Sequence, residues 1–228
     1  LIALQGPASE AVLSELNPQI KKMKFMDVET LLIAGANCWV SRSGYTGEDG
    51  FEMSIPAGAA EQVTRIILSN QNVEFIGLGA RDSLRLESGL CLYGHDIDKV
   101  TTPVEASLTW AIQKARKTNG SRVGGFIGSD IILNQLDNGT DKKRVGFLPQ
   151  TRAPMREGVE IFATEASKEV IGKITSGGYG PTVGHPIAMG YIESEYMKGN
   201  DDLYGELRGK RLPVKISKMP FVPLNFKR

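Results

Sequence analysis

The sequence predicts an α+β chain, with a mixed helix-and-strand part up to about residue 140 and an all-β part after it. Three observations carry this. Apolar residues recur at helical spacing over 57–69 and again after Thr102. From Lys143 onward, six short strand-like runs follow one another with glycine or proline turns between them, the pattern of a small antiparallel barrel or sandwich. The chain has 228 residues, enough for one large domain or two smaller ones.

The elements follow in order. Leu1 to Leu4 is apolar and reads as a buried strand; a chain opening so abruptly inside structure is expected to be a fragment. Gln5-Gly6 is a turn, and Pro7 suits the first position of a helix to about Leu16, which Asn17-Pro18 ends. Thr30 to Ile33 and Asn37 to Arg42 are strand-like, joined by the hairpin signal Ala34-Gly35-Ala36. Gly44 to Gly50 is a glycine-bounded loop, and Phe51 to Ile55 alternates as a half-buried strand does. Ala59, Val63, Ile66 and Ile67 mark an amphipathic helix over 57–69. Val73 to Ile76 reads as a strand end, followed by a glycine turn and a helix with Arg81 in its first turns. Thr102-Pro103-Val104-Glu105 is a capping box, predicted to open a helix with Val104, Leu108, Ala111, Ile112 and Ala115 on one face. Arg116 to Gly124 reads as a linker and 129–136 as a short helix. The six strand-like runs are 143–148, 159–163, 170–175, 187–192, 202–207 and 212–216.

Several function classes fall away. The 27 basic and 26 acidic residues leave a net charge of +1, which gives no footprint for nucleic acid or an anionic membrane. No apolar run has the length of a bilayer span. Cys38 and Cys91 have no metal-ligand spacing and are expected to be two buried, reduced thiols. His95 and His185 stand apart from each other and from cysteine, so a structural or exposed role is expected for both rather than metal ligation. Gly77-Leu78-Gly79 begins like a dinucleotide fingerprint, but Asp82 stands where a third small residue is needed and would set a carboxylate against a pyrophosphate.

The residues that could build a site lie in 44–52 and 77–85. Phe51, Met53 and Ile55 share one face of their strand, so Glu52 points to the other. A carboxylate there suits an edge with two parallel N–H donors, such as the pyrimidinone edge of a pterin. Arg81 offers a fixed fork of donors, and Tyr45 offers a ring and a hydroxyl from within a glycine-flanked loop. The residues alone equally allow Glu52 to face water, Arg81 to pair with Asp82 or Glu87, and Tyr45 to cap its loop.

A resemblance bears on that choice. Gly44 to Glu52 reads Gly-Tyr-Thr-Gly-Glu-Asp-Gly-Phe-Glu. Gly77 to Glu87 reads Gly-Leu-Gly-Ala-Arg-Asp-Ser-Leu-Arg-Leu-Glu, followed by Leu92-Tyr93-Gly94. Thr102 to Glu105, Phe126 to Gly128, Thr175 to Tyr179 and Lys218 to Pro223 continue the series in order. Together these segments resemble the glycine-cleavage T-protein family, the folate-dependent aminomethyltransferases.

The resemblance implies the remainder of a folate-binding domain over 1–140, with its linker at about 116–124, and a C-terminal β-barrel domain over 141–228. It implies tetrahydrofolate as one-carbon acceptor and the lipoylated H-protein as partner. The methylene carbon passes from the aminomethyl-lipoyl arm to tetrahydrofolate, with release of ammonia. Glu52 and Arg81 match the family's folate-contacting glutamate and arginine, Tyr45 matches a pocket tyrosine, and Phe226 stands where some relatives carry a tyrosine, so a hydroxyl contact is lost. The family's acting aspartate belongs to an N-terminal portion not found here. Asp49, Asp82, Asp96 and Asp98 lie in other motifs, so no catalytic residue is assigned and the chain by itself is expected to be inactive. Similarity to eukaryotic members implies the mitochondrial matrix, with a bacterial cytoplasm as alternative. Two other readings stay open: the folate domain of a dimethylglycine or sarcosine dehydrogenase, and a folate-binding paralogue without transfer chemistry.

Overall fold

The computed structural model describes residues 1–198 and 202–228. The chain forms two compact units, Leu1–Ser88 with Val222–Arg228, and Gly89–Phe221.

The first unit is built on a four-stranded antiparallel sheet in the order β1-β4-β3-β2. Its strands are β1 (Ile2–Gln5), β2 (Val28–Ile33), β3 (Ala36–Ser41) and β4 (Gly50–Ser54). The β2–β3 hairpin turns on Ala34 and Gly35, both at positive φ (48° and 85°), as a two-residue turn of this hand requires. Helix α1 (Ser9–Leu16) ends at Asn17, whose Oδ1 accepts from the Gln19 amide (3.0 Å) and starts a 3₁₀ turn, Pro18–Lys22. Helix α2 (Ala57–Leu68) turns Val63 and Ile67 inward. The two helices cover one sheet face, and Leu13, Ile20, Ile33, Val40, Phe51 and Met53 are fully buried between them.

Val73 to Ile76 is not a strand. Val73 packs on the core, but Phe75 and Ile76 are exposed and the stretch has no ladder partner among the described residues. Helix α3 (Leu78–Glu87) follows, entered through an extended Gly77 and closed at Ser88.

The second unit contains a closed antiparallel barrel in the order β10-β5-β8-β7-β6-β9. Its strands are β5 (Lys142–Pro149), β6 (Glu160–Phe162), β7 (Gly172–Gly180), β8 (His185–Glu193), β9 (Leu203–Leu207) and β10 (Lys210–Ser217). Phe147, Ile161, Ile174, Ala188, Ile192 and Val214 fill its interior. Before it lies α4 (Ser129–Asn138), and the stretch 116–124 is held in turns by Arg116, which donates to the Gly124 carbonyl (3.0 Å).

The predicted helix after Thr102 does not form. The capping box itself is present: the Thr102 amide donates to Glu105 (2.9 Å) and the Glu105 amide to Thr102 Oγ1 (3.1 Å). Two short 3₁₀ turns, Thr109–Ala111 and Lys114–Arg116, stand where the helix was expected. The reason is competition for carbonyls. The Arg144 amide takes the Glu105 carbonyl (2.7 Å) and Arg144 Nε takes that of Ala106 (2.9 Å), the two acceptors a continuing helix would need. Ser107 then turns left-handed, at φ 59°.

Asp96 fastens the segment before the barrel. Buried, it accepts from the hydroxyls of Thr175 (2.5 Å) and Ser176 (2.8 Å) and from the Leu92 amide (2.9 Å), while its carbonyl accepts from the Tyr191 hydroxyl (2.7 Å). Cys38 is buried as expected, and burial pushes its thiol pKa up; Cys91 is only half-buried.

Candidate functional site

The loop between β3 and β4 is held from below by one arginine. Cys38 and Val40 point inward from β3, and the same alternation carries Arg42 into the core, where it is 1% exposed. Its Nε donates to Asp49 Oδ1 (2.9 Å), and one terminal nitrogen donates both to Asp49 Oδ2 and to Glu10 Oε2 (2.6 Å). The other donates to the Met23 carbonyl (2.8 Å), and the guanidinium lies 4.9 Å from the Phe51 ring centre. Arg42 and Asp49 thus close the two ends of the loop onto each other. Burial alone would oppose the charge on Arg42; the hydrogen bonds to Asp49 and Glu10 outweigh it and raise its pKa.

The loop is also packed from the side. Gln5 Nε2 donates to the Ser43 carbonyl (3.0 Å), and Thr46 Oγ1 donates to Gln5 Oε1 (3.3 Å). Gly47 sits at φ 80°, and a Cβ there would lie 2.2 Å from Ser88 Oγ, which itself donates to the Thr46 carbonyl (2.9 Å). The sequence is glycine-rich here because the backbone passes directly against side chains.

Tyr45 rises from this fixed loop, half-buried, and the Arg81 guanidinium from α3 stands 4.8 Å from its ring centre. That is a cation–π contact. Among the described residues no acceptor takes a hydrogen bond from the Arg81 guanidinium. Its neighbour Asp82 is engaged by Arg85, through Nε (2.8 Å) and a terminal nitrogen (2.6 Å). The pairing of Arg81 with Asp82 that the sequence allowed is therefore replaced by Arg85–Asp82.

Glu52 lies on the sheet face opposite Phe51 and Met53, half-buried. Its Oε2 accepts from Ser43 Oγ (2.8 Å), which meets Ser41 Oγ at 2.8 Å. Oε1 has no hydrogen-bond partner among the described residues. Ser43 thereby ties Glu52 to the loop two residues before Tyr45.

Phe226 comes from the far end of the chain. It stacks on Phe25 with ring centres 4.1 Å apart and planes 14° from parallel. Its neighbour Asn225 donates from its amide to the Gly47 carbonyl (2.8 Å) and from its side chain to Glu48 (2.7 Å). Lys227 reaches Glu10 (2.5 Å) and the Lys21 carbonyl (3.0 Å).

The structure thus brings Tyr45 and Arg81 into contact and links Glu52 and Phe226 to the same loop through neighbours. Sequence reading missed Arg42, Gln5 and Asn225, which hold the loop; the inward alternation Cys38–Val40–Arg42 was the available signal. The aspartates have structural partners. Asp49 binds Arg42, Asp82 binds Arg85, Asp96 binds hydroxyls, and Asp98 accepts from Thr101 Oγ1 (2.7 Å), a contact that holds its carboxyl below the usual range. No group of histidine, cysteine and carboxylate among the described residues could hold a metal ion, and no described helix is long and apolar enough to cross a membrane.

An α+β unit carrying an aromatic–arginine–carboxylate loop, in one chain with a closed six-stranded antiparallel barrel, defines a two-part protein with its candidate ligand groups outside the barrel. Comparison narrows the class. Residues 1–116 match the GCVT N-terminal domain and residues 142–223 match the glycine cleavage T-protein C-terminal barrel domain. The mitochondrial aminomethyltransferase of Dictyostelium discoideum is 44% identical over 100% of this chain and 57% of its own length. That of Solanum tuberosum is 44% identical over 99% of this chain and 55% of its own. A crystal structure of the glycine cleavage system aminomethyltransferase T from Bartonella henselae superposes with a TM-score of 0.89 at 40% identity, covering 99% of this chain and 60% of that one. The chain belongs to the glycine cleavage T-protein family. It spans little more than half the length of these curated relatives.

Proposed function

We propose that this chain is the folate-holding part of an aminomethyltransferase of the glycine cleavage system. In this reading the whole protein takes the aminomethyl group from the lipoyl arm of the H-protein, releases ammonia and leaves methylene-tetrahydrofolate. Residues 1–140 serve folate binding and 141–228 form the barrel domain. The mitochondrial names of the relatives support the mitochondrial matrix as its location.

One observation carries the proposal. Arg81 stands half-buried against the Tyr45 ring with its guanidinium N–H donors taken by no described residue, while Glu52, tied to the same loop, keeps one side-chain oxygen unused. A donor fork, an acceptor oxygen and an aromatic ring on a braced loop fit a flat heterocycle with polar edges. Glu52 would accept from the pterin's paired N–H groups. Arg81 would donate to a carbonyl or carboxylate of the same ligand. Because the guanidinium occupies one face of Tyr45, a stacked heterocycle would use the other face or displace it. Phe226, without a hydroxyl, would offer only apolar contact. These roles are positioning, which lowers a barrier by orienting reactants.

The test is calorimetric titration of the 228-residue chain with tetrahydrofolate, beside Glu52→Ala and Arg81→Ala. Micromolar binding, weakened more than about tenfold (~1.4 kcal/mol) by Glu52→Ala, is expected. A folded chain that does not bind, or binds equally well without Glu52, overturns the assignment.

A further inference from the structure

The hydroxyls beside Glu52 form a chain with one direction. Ser43 Oγ donates to Glu52 Oε2 (2.8 Å), and Ser41 Oγ lies 2.8 Å from Ser43 Oγ. A serine hydroxyl carries one proton and two lone pairs. Ser43 gives its proton to the carboxylate, so the bond between the two serines is donated by Ser41. The relay runs from Ser41 to Ser43 to Glu52, and each bond polarises the next.

The β3–β4 ladder sets this relay up. Ser41 is the cross-strand partner of Glu52, and both lie on the sheet face opposite Val40, Phe51 and Met53. Ser43 stands two residues further on, past the buried Arg42, and Gln5 Nε2 holds its carbonyl (3.0 Å). Ser41, Ser43 and Glu52 are all half-buried. The loop is already fastened by that Gln5 bond and by Arg42 with Asp49, so the Ser43 hydroxyl is not needed to hold it. What the hydroxyl does hold is the Glu52 side chain. A donor fixed on Oε2 settles the carboxylate torsions before a ligand arrives, and it leaves Oε1 and the remaining lone pairs as acceptors. Such an edge takes two adjacent N–H donors. It rejects a ligand that sets a carbonyl in the same place, where oxygen would face oxygen.

We infer that Ser43 is a positioning residue of the ligand site: its hydroxyl, backed by Ser41, orients the Glu52 carboxylate toward a ligand edge that carries two adjacent N–H donors. The inference rests on the folate reading of this loop and adds to it a residue that acts through Glu52 and a rule for the edges the site accepts.

The experiment is calorimetric titration of the 228-residue chain with tetrahydrofolate and with an analogue whose exocyclic amino group is replaced by methyl. Wild type, Ser43→Ala, Ser43→Thr, Glu52→Ala and the double variant Ser43→Ala with Glu52→Ala are compared. Ser43→Ala is expected to weaken tetrahydrofolate binding about three- to tenfold, and Ser43→Thr, which keeps the hydroxyl, to restore most of the loss. Once Glu52 is alanine, Ser43→Ala adds less than about twofold, because its effect passes through the carboxylate. With the analogue, which lacks the second donor, Ser43→Ala again costs less than about twofold. A residue that merely supported the loop would weaken both ligands, and in both backgrounds. The inference alone is overturned if Glu52→Ala weakens tetrahydrofolate binding while Ser43→Ala binds as wild type does, or if the Ser43→Ala loss is as large with Glu52→Ala or with the analogue. A folded wild-type chain that does not bind tetrahydrofolate, or binds it equally well without Glu52, overturns the folate reading and this inference together.

Discussion

Arg42→Ala removes the one side chain that closes the Tyr45 loop at both ends. The variant leaves Asp49 and Glu10 without their arginine and the Met23 carbonyl without its donor. Breaking a buried ion pair from one side typically costs about 3–5 kcal/mol. Here the arginine is 1% exposed, but Asp49 and Glu10 keep 17% and 30% of their side-chain surface, so water restores part of their hydration. The lower end, about 3 kcal/mol, is therefore expected, or about a hundredfold rise in the opening of the first unit. Cys38 reports it directly. It is fully buried in β3 of that unit, so it reacts with a thiol reagent only when the unit opens. Peptide mapping separates it from Cys91. Arg42→Lys, which keeps the charge but loses the fork, falls between wild type and alanine. An increase in Cys38 labelling below about fivefold, ~1 kcal/mol, would place the pair with surface salt bridges and refute the idea that Arg42 organises the loop.

Three further outcomes follow from the same contacts. Gly47→Ala puts a Cβ 2.2 Å from Ser88 Oγ at φ 80°, so the urea midpoint of the first unit drops by the equivalent of about 1–3 kcal/mol; an unchanged midpoint would mean that the loop is not packed on Ser88. The Lys227 hydrogen bond, aided by Arg42 against the effect of burial, holds the Glu10 carboxyl below its ordinary pKa. A depressed folded-state value gives stability that is complete above the unfolded-state pKa and is lost as pH falls through the folded one, so urea midpoints fall on acidification below about pH 5 and fall less steeply in Glu10→Gln. Asp96→Ala strips the acceptor from Thr175, Ser176 and the Leu92 amide, so amide exchange in β7 accelerates by the equivalent of roughly 2–4 kcal/mol, and Asp96→Asn, which keeps one acceptor oxygen, recovers part of it.

Periodicity read the local elements well where side chains alone decide them. The six barrel strands, the Ala34–Gly35 hairpin and helices α1 to α4 lie close to where alternation, turn residues and helical spacing put them. The failures are tertiary. The capping box at Thr102 formed, yet the helix did not, because Arg144, on the distant strand β5, claimed the carbonyls of Glu105 and Ala106. Val73 to Ile76 had the composition of a strand but pairs with no strand among the described residues, and Phe75 and Ile76 are left exposed. Arg42 was the costliest omission for the site. A charge inside an apolar alternation signals burial, and burial of a charge requires partners that sequence does not name.

The residues that carry the family resemblance also divide by what they do. Gly44, Gly47 and Gly50 make room for Gln5 and Ser88; Thr46 bonds Gln5; Asp49 closes on Arg42; Asp82 holds Arg85; Thr175 and Ser176 hold Asp96. Each is explained by an internal contact, so its presence says that the fold is kept and says nothing of a ligand. Arg81 and Glu52 differ. Their hydrogen bonding is incomplete within the protein: a fork of donors facing only an aromatic ring, and a carboxylate with one oxygen engaged. A half-buried polar group that the fold does not satisfy loses hydration without recovering it, a cost that a ligand offering the complementary groups would remove. Arg81→Ala and Glu52→Ala should therefore leave the unfolding midpoint of the first unit unchanged or slightly raised, whereas Asp49→Ala and Asp82→Ala lower it. A clear loss of stability in the first pair would move Arg81 and Glu52 to the side of the scaffold and leave the loop without a ligand-binding face.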